Sequence, residues 1–218
     1  MHGLGTLLLF HIVTSLGQNV HGSDIIHGER APENSMQYMV SVQNRNGHVC
    51  GGFLVSEDFV VTAAHCAIDE PVRVVVGTHK LSNSNMSPMN IEYVCKYPTY
   101  ESVDLGDDIM LLKVSRYINT NNMHLSFCTS ILNPQLCREK WWNGFPCNVI
   151  CAGGYNTDKG FCQGDSGGPL VCNGVAVGIV SFNKLNNCTY PDVPNVYTDI
   201  SKYLQWINNI MKTKKCVS

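Results

Sequence analysis

Apolar positions along this chain fall mostly into short runs. Six of them occupy 38–42, 53–55, 59–62, 72–76, 91–94 and 109–114, rich in Val and Ile and separated by Gly, Pro, Asn or Asp. Short β-branched runs punctuated by turn residues predict an all-β barrel or sandwich. A three-to-four-residue period appears only near the end, at Tyr203, Leu204, Ile207, Ile210 and Met211. It predicts one amphipathic helix with Gln205, Asn208 and Asn209 on its polar face. Lys212, Lys214 and Lys215 follow, where positive charge favours the helix dipole. One further apolar stretch, 4–16, is too short to cross a bilayer. Small or short residues at Val20 and Gly22 suit a signal-peptidase cut, so 1–22 is predicted to be a signal peptide.

Composition narrows the class. The chain has 218 residues and a net charge of −2, with no basic stripe, so nucleic acid is not an expected partner. Eleven cysteines need an explanation. Zinc would require close pairs, but no C-x-x-C occurs and Cys147-x-x-x-Cys151 stands alone. Disulfides formed in an oxidising compartment fit better, and agree with secretion. Asn85-Met86-Ser87 and Asn187-Cys188-Thr189 are weak glycan acceptors, one followed by Pro88 and the other containing a cysteine.

Three stretches carry chemistry. In Gly164-Asp165-Ser166-Gly167-Gly168-Pro169, glycines around a serine clear the approach of a carbonyl and free backbone N–H groups. Gly164-x-Ser166-x-Gly168 alone also fits the nucleophile elbow of α/β-hydrolases, or a plain surface turn. Thr62-Ala63-Ala64-His65-Cys66 places a histidine just past a strand, and Asp107-Asp108 opens the apolar run after it. Either alone would read as a packed or solvated residue. Together they supply a nucleophile, a base, and a carboxylate to orient that base. The order His65, Asp108, Ser166 excludes the hydrolase elbow, which runs Ser, Asp, His.

With Ile25-Ile26-His27-Gly28, Cys50-Gly51-Gly52, Gly178-Ile179-Val180-Ser181 and Val196-Tyr197-Thr198 added, nearly the whole chain resembles the chymotrypsin-like serine endopeptidases. The resemblance implies two antiparallel Greek-key β-barrels, a C-terminal helix, and a peptidase domain over 25–218. It makes His65 the general base, Asp108 the orienter and Ser166 the nucleophile, with the N–H groups of Gly164 and Ser166 as oxyanion hole. Activation would free Ile25, whose ammonium pairs with Asp165. Residues 23–24 would be an activation dipeptide, as in granzymes and mast-cell proteases, removed by a dipeptidyl peptidase before storage in secretory granules. Protein or peptide substrates and proteinaceous inhibitors are the implied partners; no metal, organic cofactor or membrane span is.

The implied substrate pocket comprises Gly160, Phe161, Ser181, Asn183 and Asn195. Gly160 stands six residues before the nucleophile, where trypsin has its selecting aspartate. Non-tryptic cleavage is therefore expected, after a small or apolar side chain.

One departure stands out. The interval from His65 to Asp108 matches the template's roughly 45 residues, but Asp108 to Ser166 is about 35 residues short. The second barrel is accordingly expected to lack about two strands, each about 5–6 residues long. By resemblance Cys50 pairs with Cys66, Cys137 with Cys151 and Cys162 with Cys188; Cys128 is the nearest substitute partner for Cys172. Cys95, Cys147 and Cys216 are left unassigned. Three readings stay open: an active endopeptidase, a silent homologue that binds without turnover, or a truncated product of a longer enzyme.

Overall fold

A computed structural model of the chain describes residues 27–28, 37–76, 88–115, 131–184, 188–189 and 191–216. The expected signal peptide and activation dipeptide, Ile25, Cys128, and the sequon residues 85–87 and 187 lie outside these residues.

The first half is a closed six-stranded antiparallel barrel. Its strands are β1 (Met39–Gln43), β2 (His48–Leu54), β3 (Phe59–Thr62), β4 (Arg73–Val76), β5 (Met89–Lys96) and β6 (Met110–Val114). They follow the order β1-β2-β3-β6-β5-β4, and β1 closes the barrel on β4 with Val42 opposite Val74. All six predicted runs are strands here, with ends shifted by a few residues. β2 and β5 reach beyond their predicted runs because Gly51, Gly52, Asn90 and Lys96 carry the ladder without adding apolar pattern. The interior is apolar: Phe59, Val60, Val61, Met110, Leu111 and Leu112 are fully buried.

Among the described residues, the second half is a four-stranded antiparallel sheet of order β7-β10-β9-β8. It comprises β7 (Val149–Cys151), β8 (Pro169–Cys172), β9 (Val175–Phe182) and β10 (Val196–Asp199). Among the described residues, the second half has two strands fewer than the first, the size of the expected shortfall. A short helix, α1 (Pro134–Lys140), precedes β7. Asn133 caps it by accepting from the Gln135 N–H at 2.8 Å, and Pro134 opens its first turn. β8 and β9 are joined through Asn173 and Gly174, both at positive φ (49° and 80°), as a two-residue hairpin turn requires.

The C-terminal helix, α2 (Leu204–Thr213), ties the halves together. Tyr203, Ile207 and Ile210 belong to the large apolar cluster that fills the first barrel and also takes in Val171 and Ile179 of the sheet. At its end Lys214 donates to buried Asp58 at 2.6 and 2.8 Å, and Cys216 is bonded to Cys95 on β5. That disulfide encloses 121 residues of sequence separation, which restricts the unfolded chain strongly. The structure also joins Cys50 to Cys66, Cys137 to Cys151 and Cys162 to Cys188. Cys172 is disulfide-bonded, and Cys147 is free and exposed.

Candidate active site

Strand register brings His65 and Asp108 together. Thr62, the last residue of β3, lies opposite Met110, the first of β6. The residues just after one strand and just before the other therefore emerge at the same end of the barrel. His65 sits on a 3-10 turn, Ala64–Asp69, held by the Cys50–Cys66 bond. Its Nδ1 lies 2.8 Å from Asp108 Oδ2, and its backbone N–H donates to Oδ1 at 2.9 Å. Ser181 Oγ donates to the same Oδ2 at 2.5 Å. The Asp108 carboxylate is 1% exposed and accepts three donors, so burial costs it little. A carboxylate takes Nδ1–H as donor, which leaves the Nε2 lone pair of His65 facing away.

Ser166 reaches this end through close backbone packing. Its carbonyl accepts from the Gly51 N–H at 2.8 Å, and Gly167 N–H donates to Val180 on β9. A Cβ at Gly167 would fall 2.1 Å from Thr62 Oγ1 and 3.0 Å from Ala63 N, so only glycine lets the serine turn lie on the strand that leads to His65. Gly167 is also at φ 81°, and Gly164 at φ 94°, backbone that side chains other than glycine's rarely allow. Asp165 accepts from the Cys162 N–H through Oδ2 at 2.8 Å.

Two contributors are not evident from sequence pattern. Gln43 Nε2 donates to Ser41 Oγ at 3.2 Å, Ser41 lies 2.8 Å from His48 Nδ1, and His48 Nε2 lies 2.9 Å from the Gly164 carbonyl. The Gly164 carbonyl can only accept, so Nε2 carries the proton toward it; with the ring singly protonated, Nδ1 then accepts from the Ser41 hydroxyl. The signal in the sequence is only a histidine after Asn46-Gly47. Thr198 is the second: its Oγ1 donates to the Asp108 carbonyl at 2.9 Å from β10. Tyr100, partly buried nearby, has its phenol pushed up to about 12 by burial first and then by the charges of Asp108 and Asp104.

Of the named pocket residues, Gly160 lies against Asn195 and Phe161 against Asn183, whereas the Ser181 hydroxyl is turned to Asp108. A Cβ on Gly160 would meet the Cys188 carbonyl at 3.2 Å and the Asn195 amide at 3.4 Å. Asn195 is buried, and its Oδ1 would lie 3.0 Å from a Cβ on Gly154. Phe161 is buried edge-on to Tyr197 at 5.4 Å, and its carbonyl accepts from Asn183 Nδ2 at 3.2 Å. Behind them, Trp141 donates to the Pro194 carbonyl at 3.1 Å and packs with Trp142, Phe145 and Phe182. The sulfurs beside His65 are consumed in the Cys50–Cys66 bond, which takes them out of consideration as metal ligands.

Fold and site together define a disulfide-bonded serine peptidase. The family model described as Trypsin matches residues 25–130 and 126–207, and the chain belongs to that family. It is similar to duodenase-1 of Bos taurus, 32% identical over 250 residues and covering 96% of this chain and 98% of the relative. Mast cell protease 3 of Ovis aries is 32% identical over 255 residues, 96% of each chain. Granzyme-like protein 1 of Rattus norvegicus is 31% identical over 249 residues, 94% of this chain and 98% of that one. These alignments are longer than the 218 residues of this chain, so the relatives carry internal residues that it lacks. The two family-model segments meet at 126–130, inside the short interval between Asp108 and Ser166. Among the described residues, no helix is long and apolar enough to cross a membrane.

Proposed function

We propose that the chain is a secreted endopeptidase that cleaves peptide bonds through an acyl-enzyme on Ser166. The observation that carries this is the His65 Nδ1 to Asp108 Oδ2 contact of 2.8 Å, buttressed by Ser181. His65 Nε2 takes the Ser166 proton as Oγ attacks the carbonyl, and returns it to the leaving amine. Asp108 holds the imidazole in the needed tautomer and faces the imidazolium as it forms. Gly164 and Ser166 N–H groups receive the oxyanion, with His48 holding the Gly164 peptide in place. Water then repeats the sequence to release the acid.

Activation belongs to the same proposal. A freed Ile25 ammonium pairs with Asp165, and the dipeptide 23–24 is the piece removed, in a granule-stored protein. Gly160 in place of an acid, with Asn195 and Phe161 behind it, favours a small or apolar side chain before the scissile bond. Lys and Arg peptides cleaved as fast as apolar ones would sink the specificity part alone.

The test is fluorophosphonate labelling of purified protein beginning at Ile25, beside Ser166→Ala. Labelling that disappears in the variant is the expected outcome. A folded wild-type chain that does not label would leave a binding homologue or a product of a longer enzyme.

A further inference from the structure

The residue before Asp108 is also an aspartate, and the mechanism above does not use it. Asp107 adopts the left-handed conformation, φ 59°, which short polar side chains tolerate better than most. Its carbonyl accepts from the Ile109 N–H at 2.8 Å, closing a tight turn with Asp108 at the centre. The orientation of Asp107 thus sets the direction in which Asp108 leaves the chain.

Donors from three separate elements hold the Asp107 side chain. Asn148 Nδ2 donates to Oδ1 at 2.6 Å, Tyr203 OH to Oδ1 at 2.8 Å, and Thr99 Oγ1 to Oδ2. Asn148 also donates to Tyr203 OH at 2.6 Å, so the three groups close a triangle. Each anchor is itself fixed. The Tyr203 ring lies edge-on to Tyr97 at 4.9 Å, and burial, then the hydrogen bond with Asp107, pushes its phenol well above the ordinary range, which keeps it a donor. Asn148 immediately precedes β7, and its carbonyl accepts from the Asp199 N–H at 3.0 Å. Gly106, at φ 87°, packs so closely that a Cβ would fall 2.3 Å from Asn148 Oδ1.

We propose that Asp107 is a positioning residue whose carboxylate, gripped by Thr99, Asn148 and Tyr203, aims Asp108 at His65. Asn148 comes from the reduced sheet and Tyr203 from the C-terminal segment, so this grip also sets the catalytic end of the barrel against the other half. The inference rests on the proposed triad.

Asp107→Ala removes every acceptor. Asp107→Asn should keep the geometry: its Oδ1 can accept from Asn148 and Tyr203, while its Nδ2 donates to the Thr99 hydroxyl, which then acts as acceptor. The measurement is kcat and KM on an apolar peptide anilide, with fluorophosphonate titration giving the active fraction. For Asp107→Ala, kcat is expected to fall about 10- to 100-fold with KM within about three-fold, as a small misplacement of a catalytic group does. Asp107→Asn is expected to recover most of that loss. Should Asp107→Ala not fold, Tyr203→Phe and Thr99→Val each remove one donor and are expected to lower kcat about three- to ten-fold, again with little change in KM. Folded Asp107→Ala with wild-type kcat, or Asp107→Asn as impaired as Asp107→Ala, overturns the proposal. So does unchanged kcat in both single-donor variants. A wild-type chain that neither labels nor turns over overturns the protease reading and this inference together, whereas turnover that ignores residue 107 overturns this inference alone.

Discussion

The two halves of this molecule differ in how they close. The first barrel pairs every strand, runs β1 back onto β4, and buries Phe59, Ile109, Leu111 and Leu112 completely. The second half has four described strands in a row; Val171, Ile179 and Ile200 join the barrel's large apolar cluster, and its other clustered apolar residues fall into two small groups, one around Leu170 and Tyr197 and the other around Phe145 and Val196. Of the proposed site, His65 and Asp108 belong to the first half, and Ser166 and the proposed pocket residues to the second. Chemistry that spans both must therefore lean on cross-links: Ser181 and Thr198 to Asp108, Gly51 to Ser166, His48 to Gly164, and α2 lying on the barrel. A shortened half can keep its place when the intact half supplies much of its frame.

The largest effect tests whether the halves act as one site. His65→Ala removes the proposed base from the closed half, and Ser166→Ala the proposed nucleophile from the reduced half. Each is expected to lower kcat/KM by about 100,000-fold or more, and the double variant by no more than either single one. Losses that multiply would mean that base and nucleophile contribute independently, and would break the account of a shared site.

Next in size is packing. Leu111→Ala hollows the apolar barrel and should cost about 3–5 kcal/mol by denaturant titration, while Leu170→Ala, in a cluster of a few residues, should cost about 2 kcal/mol. Replacing Cys95 and Cys216 together by Ala should cost about 2–5 kcal/mol, because the bond encloses so much chain. Equal costs for the two leucines would show the reduced half to be as well consolidated as the barrel.

Strand runs, the chain order of His65, Asp108 and Ser166, and the short interval leading to Ser166 are all legible in the sequence, because each is a local pattern or a simple spacing. The pairing of Cys95 with Cys216 is not, since it depends on α2 crossing back to β5, and helical periodicity says which face is buried but not against what. The contacts of His48 and Asp107 are hidden for a similar reason: their partners on Gly164, Asn148 and Tyr203 lie more than 40 residues away. Other features have a local signal of their own. Asn173-Gly174 between apolar residues is a strong hairpin signal, and Asn133-Pro134 is a helix start.

The smallest expected effect compares one ion pair from each half. Asp58, in the barrel, is buried and takes two hydrogen bonds from Lys214, with Lys113 3.8 Å away. Burial alone would raise its carboxyl, but the hydrogen bonds from Lys214 and Ser56 and the two lysine charges outweigh it and hold the group below its usual value. A carboxyl lowered by folding adds stability that is fully present above its unfolded value, near 3.8, and is lost as pH falls through the folded one. Lys214→Met should therefore cost about 1 kcal/mol at neutral pH, since the lysine is half exposed and Lys113 remains. That deficit should shrink toward zero below about pH 4, as the unpaired carboxyl is protonated. Lys184 and Asp192 form the counterpart near the reduced sheet, both exposed to solvent. Lys184→Met should leave the melting temperature unchanged across the same pH range. A matching pH-dependent deficit in both variants would erase the distinction between a buried lock on the barrel and a solvated pair beside the sheet.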